Sequence, residues 1–256
     1  YAAFEYGVHR ILDHRRVTVS RPISFTLYMR PIMNKMRSRL INEFFEYDLK
    51  ELQRNYPSAR EINIPNKAFL YHQGDRCSDL FWIKSGIGKL SHLTEKGIEI
   101  TLALFEKGDV IGCLQNNSIP QEVEETAQAL GEVNFYSIAC NDFKAMMAHQ
   151  PELAWYVFEN IYTRKQKVER KLRTTLTQPV EMRVIATLLE LAEMFGIGCT
   201  HGYALEIHLT QQEVADLVGA SRSVVSTILN DFRNRGMLGY TRDQICINDA
   251  ALSALR

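Results

Sequence analysis

The chain has 256 residues, 46% of them hydrophobic and 23% charged, with 30 basic side chains balancing 30 acidic ones. That length holds two domains with cores of their own, and the composition is globular rather than disordered or fibrous. Zero net charge announces no nucleic-acid partner through overall basicity, and no apolar run nears the roughly 18 residues that span a bilayer, so no membrane partner is expected.

Residues 1–35 are rich in Arg and read as an N-terminal extension of unknown role, with MRSRLINEFF from Met36 as the expected natural start. No secretory pattern is present there, since HRILDHRRVTVSR is basic with no apolar stretch behind it. Leu40, Phe44, Phe45 and Leu49 predict a helix over 37–54. Short apolar runs then recur: AREINI, KAFLYH, DLFWIKSG, IGKLSHL, IEITLALF, VIGCL, EETAQAL and VNFYSIA. Turn residues such as Gly74-Asp75, Ser85-Gly86 and Lys107-Gly108-Asp109 divide them. Eight short strands at this spacing predict a jelly roll or similar barrel.

A helix is expected at NDFKAMMAHQ, and Pro151 suits the first turn of a much longer one reaching Gln178. Val157, Ile161, Val168 and Leu172 recur along it at helical spacing, and 164–173 holds six basic residues against one Glu. Such a stripe could pack on its own barrel, but the helix is long for one domain's edge. A two-stranded coiled coil between two copies is the better expectation, with those four residues in the dimer interface.

The last third reads as a helix VEMRVIATLLELAEMFG, a strand YALEIHL, the stretch LTQQEVADLVGASRSVVSTILNDF, and a hairpin MLGYTRDQICIN turning at Arg242-Asp243. In the stretch, Thr210 with Glu213 forms a capping box, Gly219 supplies a left-handed helix end, and Ser221 caps the second helix. Val225, Ile228, Leu229 and Phe232 make an inward stripe. The opposite face carries Arg222, Ser223, Ser226, Thr227 and Asn230, with no acid, which suits base edges and phosphates. The helix pair alone also fits an ordinary helical hairpin; the hairpin behind it makes a winged helix-turn-helix and favours double-stranded DNA as partner. Arg233, Arg235 and Arg242 are candidate phosphate contacts. One fact opposes this: from Val180 onward six Arg and no Lys face nine Asp or Glu, a net charge of −3.

Cys77, Cys113, Cys140, Cys199 and Cys246 are odd in number and never form a CxxC pair, which predicts neither a disulfide framework nor a zinc ribbon and points to a reducing cytoplasm. With no nucleophile elbow, HExxH, P-loop or paired His/carboxylate spacing, no enzyme, metal site or cofactor is expected.

Four stretches, HQGDRCSDLFWIKSGIGKL, GDVIG, DFKAMMAHQPELA and the helix-turn-helix itself, together resemble the cAMP-receptor/fumarate-nitrate-regulator (Crp/Fnr) family of bacterial transcription factors, from about residue 40 to the C-terminus. The resemblance implies an α+β chain: an effector β-roll (a double-stranded β-helix like cyclic-nucleotide-binding domains) over 36–149, a dimerisation helix over 150–178, and a winged helix-turn-helix over 179–256. It further implies a homodimer on an inverted-repeat site, in contact with RNA polymerase, with a small-molecule effector. Family members that bind cyclic nucleotides carry a Glu just after VIG for the ribose and an Arg before a Ser/Thr-Ala pair for the phosphate. Here Cys113 and Glu125 stand at those places. Gly112, Cys113, Leu114, Glu125, Thr126 and Ala127 therefore outline an expected effector pocket in which Glu125 repels a cyclic phosphate, so the effector is not a cyclic nucleotide. The Fe–S branch needs an early cysteine cluster, and none precedes Cys77. Of the usual reading residues, Arg222 keeps its place while Ser223 and Thr227 replace a Glu or Val and a second Arg. For Cys113 a small buried hydrophobe is favoured over a sensing thiol, and for Cys77 with His72 ordinary loop residues over a haem site. The alternative function is a small-molecule, redox or gas sensor acting through protein contacts.

Overall fold

The computed structural model of the chain describes residues 49–113, 121–200, 202–205, 207, 209–240 and 245–254. The extension over 1–35 and most of the helix expected over 37–54 lie outside these; the described part of that helix is α1 (Leu49–Asn55).

The roll follows from period-two burial. Strands β1 (Arg60–Ile64), β10 (Val133–Ala139), β4 (Asp79–Ser85) and β7 (Val110–Gly112) form one antiparallel sheet in that order. A second sheet runs β2 (Phe69–Tyr71), β9 (Thr126–Ala129), β5 (Gly88–Leu93) and β6 (Glu99–Phe105). Four successive residues of β4, Leu80 to Ile83, are buried because both faces of its sheet are covered. Alternation sends Phe81 and Ile83 into the roll with Tyr71, Phe105 and Phe135, and sends Leu80 and Trp82 outward against helices. These eight strands are the eight expected; β3 (Arg76–Cys77) and β8 (Gln121–Glu122) are additional, pair with each other, and are too short to show any period.

The covering helices are α1, α2 (Cys140–His149) and the start of α3 (Pro151–Thr177). Pro151 occupies the first turn of α3, where its missing N–H costs nothing. The helix is about 40 Å long at 1.5 Å per residue. Its first turns bury Leu153, Tyr156 and Val157 on Trp82, Tyr136 and Phe143. One carbonyl fixes this seat: Trp82 Nε1 and Asn160 Nδ2 both donate to the oxygen of Gly108, at 3.2 and 2.9 Å. Gly108 has φ +91°, and a Cβ there would collide with the Tyr156 hydroxyl, so the turn demands glycine.

Gln178 and Pro179 are extended and separate α3 from α4 (Val180–Phe195). Then follow β11 (Gly196–Cys199), β12 (Gly202–Leu205), α5 (Gln211–Val218), α6 (Arg222–Asn234), β13 (Leu238–Tyr240), β14 (Ile245–Ile247) and α7 (Asp249–Ser253). The strands pair antiparallel as β11-β12-β14-β13, giving a winged helix-turn-helix in which β11 is an addition to the expected strands. Val184, Leu188, Leu191, Val214, Val225, Leu229 and Phe232 fill its core, and Ile87, Leu104 and Leu130 of the roll pack against that same core. Among the described residues, no helix is long and apolar enough to cross a membrane.

Candidate nucleic-acid interface and effector region

The local chemistry of the helix pair is as the sequence predicts. Thr210 accepts from the Glu213 N–H at 3.2 Å, and the Glu213 carboxylate accepts from the Thr210 N–H at 2.7 Å. Gly219 ends α5 at φ 69°, ψ 47°, and Ser221 accepts from the Val224 N–H at 3.4 Å. A residue that sequence reasoning missed completes the corner: Arg183 on α4 donates to the carbonyls of Val218 and Gly219, at 2.9 and 3.2 Å. These are the open C-terminal carbonyls of α5, so the guanidinium caps that helix where charge and dipole both favour it. The signal available was only an Arg on a helix facing the next one.

Val225, Leu229 and Phe232 of α6 are buried and Ile228 is partly so, leaving the opposite face outward. Arg222, Ser223, Thr227, Asn230 and Arg233 are exposed and Ser226 is half-buried. The first turn of α6 holds no acid. The hydroxyls are less available than their exposure implies. Thr227 Oγ1 donates to the carbonyl of Ser223 at 3.0 Å, and the Ser221 and Ser223 hydroxyls lie 3.1 Å apart. Thr227 is left with acceptor capacity and a methyl group. The exposed Asn230 amide makes no hydrogen bond among the described residues; an amide is the group that pairs with an adenine edge through two hydrogen bonds. Val224, 43% exposed, adds an apolar contact of the kind that meets a thymine methyl. Arg235 is exposed and pairs with Asp231 at 2.9 Å and Glu181 at 3.9 Å, contacts that a phosphate would have to compete with. Arg242 lies outside the described residues.

The expected dimer residues divide. Val157 is 6% exposed and belongs to the chain's own roll–helix core, so it leaves the predicted seam. Ile161, Val168 and Leu172 are exposed. The outward apolar face of α3 also contains Trp155 (61% exposed), Phe158, Tyr162 and Leu176. Trp155 and Phe158 rings lie 5.5 Å apart, and Phe158 stacks toward Tyr162 at 6.5 Å. Together they make a continuous exposed apolar row along α3, larger than the single exposed hydrophobics found over most of a protein surface.

In the roll, Tyr71 donates to the Glu125 carboxylate at 3.0 Å, and burial together with that carboxylate drives its phenol far above the ordinary range. The hydroxyl thus stays a donor, and the backbone of Gly112 also faces it. Gly112 is left-handed at φ +98°, Cys113 is half-buried, Thr126 accepts from the Gln73 N–H at 3.0 Å, and Ala127 is buried. Gly112 and Glu125 are thereby brought together through Tyr71; Leu114 lies outside the described residues. Cys77 donates to the Asp79 carbonyl at 3.2 Å, and burial pushes its thiol up, so it is a thiol rather than a thiolate. His72 stacks on Phe69 with centroids 4.3 Å apart. Among the described residues, no group of three or more His, Cys, Asp or Glu is placed to hold a metal ion.

Two family models match. A Crp-like helix-turn-helix domain covers residues 182–253, and a cyclic nucleotide-binding domain covers 61–150. The chain is 26% identical over 196 residues to the global nitrogen regulator of a Nostoc species, spanning 75% of this chain and 86% of that protein. It is 28% identical over 197 residues to the CRP-like cAMP-activated global transcriptional regulator of Mycobacterium tuberculosis, spanning 76% and 87%. A solved CooA variant from Carboxydothermus hydrogenoformans shares the fold with a TM-score of 0.66 at 21% identity, over 82% of this chain and 96% of that one.

Proposed function

Because the chain belongs to the Crp/Fnr family of transcription regulators, we propose that it acts as a homodimer, each copy placing α6 in the major groove of one half of an inverted-repeat site. The observation that carries this reading is the division of α6 into a buried apolar seat and an outward face of Arg222, Ser223, Thr227 and Asn230, with no acid in its first turn and its one exposed carboxylate, Asp231, paired with Arg235. Arg222 suits guanine O6 and N7, Asn230 suits adenine, and Val224 a thymine methyl. Half-sites of a two-fold dimer lie about one helical turn apart, 10 to 10.5 base pairs. Arg170 and Arg173 of α3, with Arg233 and Arg242, offset the net acidity of the reading domain near phosphates in this reading. The helix-turn-helix match disfavours the alternative of a sensor acting only through protein contacts.

Cyclic nucleotides are not the effector in this reading. The place of the phosphate-binding Arg is held by Glu125, already clasped by Tyr71, and the ribose place by Cys113. Contact with RNA polymerase completes the proposed regulatory role. The decisive experiment maps bound sites across the genome of origin and measures the enriched duplex against a scrambled one at moderate salt. A shared inverted repeat with tenfold or greater preference is expected; equal binding to both duplexes refutes sequence-specific reading. Calorimetry with cyclic AMP should show no micromolar binding.

A further inference from the structure

A partly open cleft of about 60 Å³ lies where β6, α3, α4 and α5 meet. Its walls are apolar, formed by Leu102, Leu104, Val168, Leu191, Met194 and Leu217. Into this lining come three cations, Arg164, Lys167 and Lys171, against one carboxylate, Glu190. None of the three joins an ion pair among the described residues.

What these cations do have is meagre. Lys171 Nζ donates to the Thr101 carbonyl at 2.5 Å, and Lys167 Nζ reaches only the Met194 thioether at 3.5 Å. A thioether is a weak acceptor for an ammonium group. Arg164 Nη1 is buried with no hydrogen-bond partner, and so is the Thr101 hydroxyl. An orphaned guanidinium donor beside two poorly matched ammonium groups is an arrangement that protein interiors ordinarily avoid. The chemistry that answers it is a group with anionic oxygens, and the leucines ask for that group to be carried on an apolar body.

We propose that this cleft binds a small amphipathic carboxylate, an aryl or short alkyl acid of benzoate or hexanoate size, with its body on the leucines and its oxygens on Arg164, Lys167 and Lys171. At about 60 Å³ the cleft is smaller than the roughly 150 Å³ cavity that takes up a benzene ring, so the acid's body lies across the open mouth on the leucines, with only its oxygens drawn in. A ligand lodged here touches the roll, the long helix and the reading domain together, and so favours the one arrangement that brings those walls together. Burial holds Lys171 down at about 8, with Glu190 opposing that shift. A carboxylate alongside raises it again, so binding takes up protons at pH 8.5.

The test is isothermal titration calorimetry on the full chain, without DNA, so that it stands apart from the reading of α6. Benzoate and hexanoate are the probes, with benzyl alcohol and inorganic phosphate as comparators. Saturable binding below 1 mM is expected, with both comparators at least tenfold weaker, on the order of the 1.4 kcal/mol that one decade represents. At pH 8.5 the heat should vary with the buffer's ionisation enthalpy. Arg164→Gln and Lys171→Met should each weaken binding about fivefold or more, and Lys171→Met should abolish the proton uptake. Should Lys171→Met not fold, Arg164→Gln carries the comparison alone. Absence of saturable binding by both acids, affinity unmoved in the folded variants, or phosphate binding as tightly as benzoate overturns the proposal.

Discussion

Two helices of this protein, α3 and α6, each bury one face in the chain's own core and present the other to the outside, yet the two outward faces have opposite chemistry. On α3 it is a row of aromatic and aliphatic side chains, Trp155, Phe158, Tyr162, Leu172 and Leu176. On α6 it is an arginine, short hydroxyls and an amide. The first can gain free energy only by leaving water, at roughly 25 cal/mol per Å² covered. The second gains only by exchanging water for other hydrogen-bonding groups of matched geometry. The leftover face of a helix, more than its length or propensity, therefore separates the two partners proposed: protein for α3, nucleic acid for α6.

The largest expected effect lies on α3. Trp155→Asp with Phe158→Asp places charges in the proposed seam, each costing about 3–5 kcal/mol if buried unpaired. Sedimentation velocity at micromolar concentration should show a dimer for the unchanged chain and a monomer for the variant. Val157→Asp should instead unfold the roll–helix junction, because that side chain faces inward. A monomeric unchanged chain would mean the aromatic row serves some other surface.

On α6, Arg222→Ala should weaken the specific duplex by about 1–3 kcal/mol and relax preference at one base pair per half-site, with little change on scrambled DNA. Arg242→Ala, read from sequence as a wing residue, should weaken every duplex alike and lower the salt slope by about one. Competition assays on both duplexes separate the two patterns. If Arg222→Ala leaves specific binding intact, α6 is not the reader.

The stretch from Thr210 to Phe232 was legible in advance because its signals are local: a capping box, a left-handed glycine and a 3.6-residue stripe each declare themselves within a few residues. The roll was legible for the same reason, from period-two runs between turns. The face of α3 was harder. That helix carries apolar side chains on two sides, and periodicity does not say that Val157 meets Trp82 while Trp155 meets solvent; only the docking of the helix on Gly108 decides it. Strands of two residues, such as β3, have no period to detect. The cleft was invisible because its walls come from four elements scattered from Leu102 to Leu217, and Arg183 because its role depends on a carbonyl 35 residues away.

Two smaller effects probe the ground between α3 and the reading domain. Lys171 has a folded-state value of about 8 against an ordinary 10.5. Between those values the unfolded chain binds more protons, so stability should rise as pH goes from about 8 toward 10.5. Urea unfolding at pH 7.5 and 9.5 should show this rise in the unchanged chain and lose it in Lys171→Met. On α5, burial raises the Asp216 carboxyl, with Glu99 of the roll adding to it and Gln212 opposing. A raised acid is a cost present above its folded pKa that fades as pH falls. Asp216→Asn should therefore raise Tm slightly at pH 7, with the gain disappearing toward pH 4; an unchanged or lowered Tm at pH 7 would show that Asp216 is not strained against the roll.

Between α3 and α4 the chain is extended for only Gln178 and Pro179. The pyrrolidine ring fixes φ at Pro179, and both peptide bonds are planar, so the joint turns chiefly on φ and ψ of Gln178 and ψ of Pro179. A joint with so few torsions traces a narrow arc instead of wandering through space. Its positional entropy is largely removed before any partner arrives, which lowers the ordering cost of bringing a reading helix to its groove. The same economy sets a tolerance. In the proposed dimer, with two reading helices hung from a paired α3 mast on such stiff joints, the distance between them is a property of the protein, and an operator lengthened at its centre by a base pair or two should lose one of its two contacts.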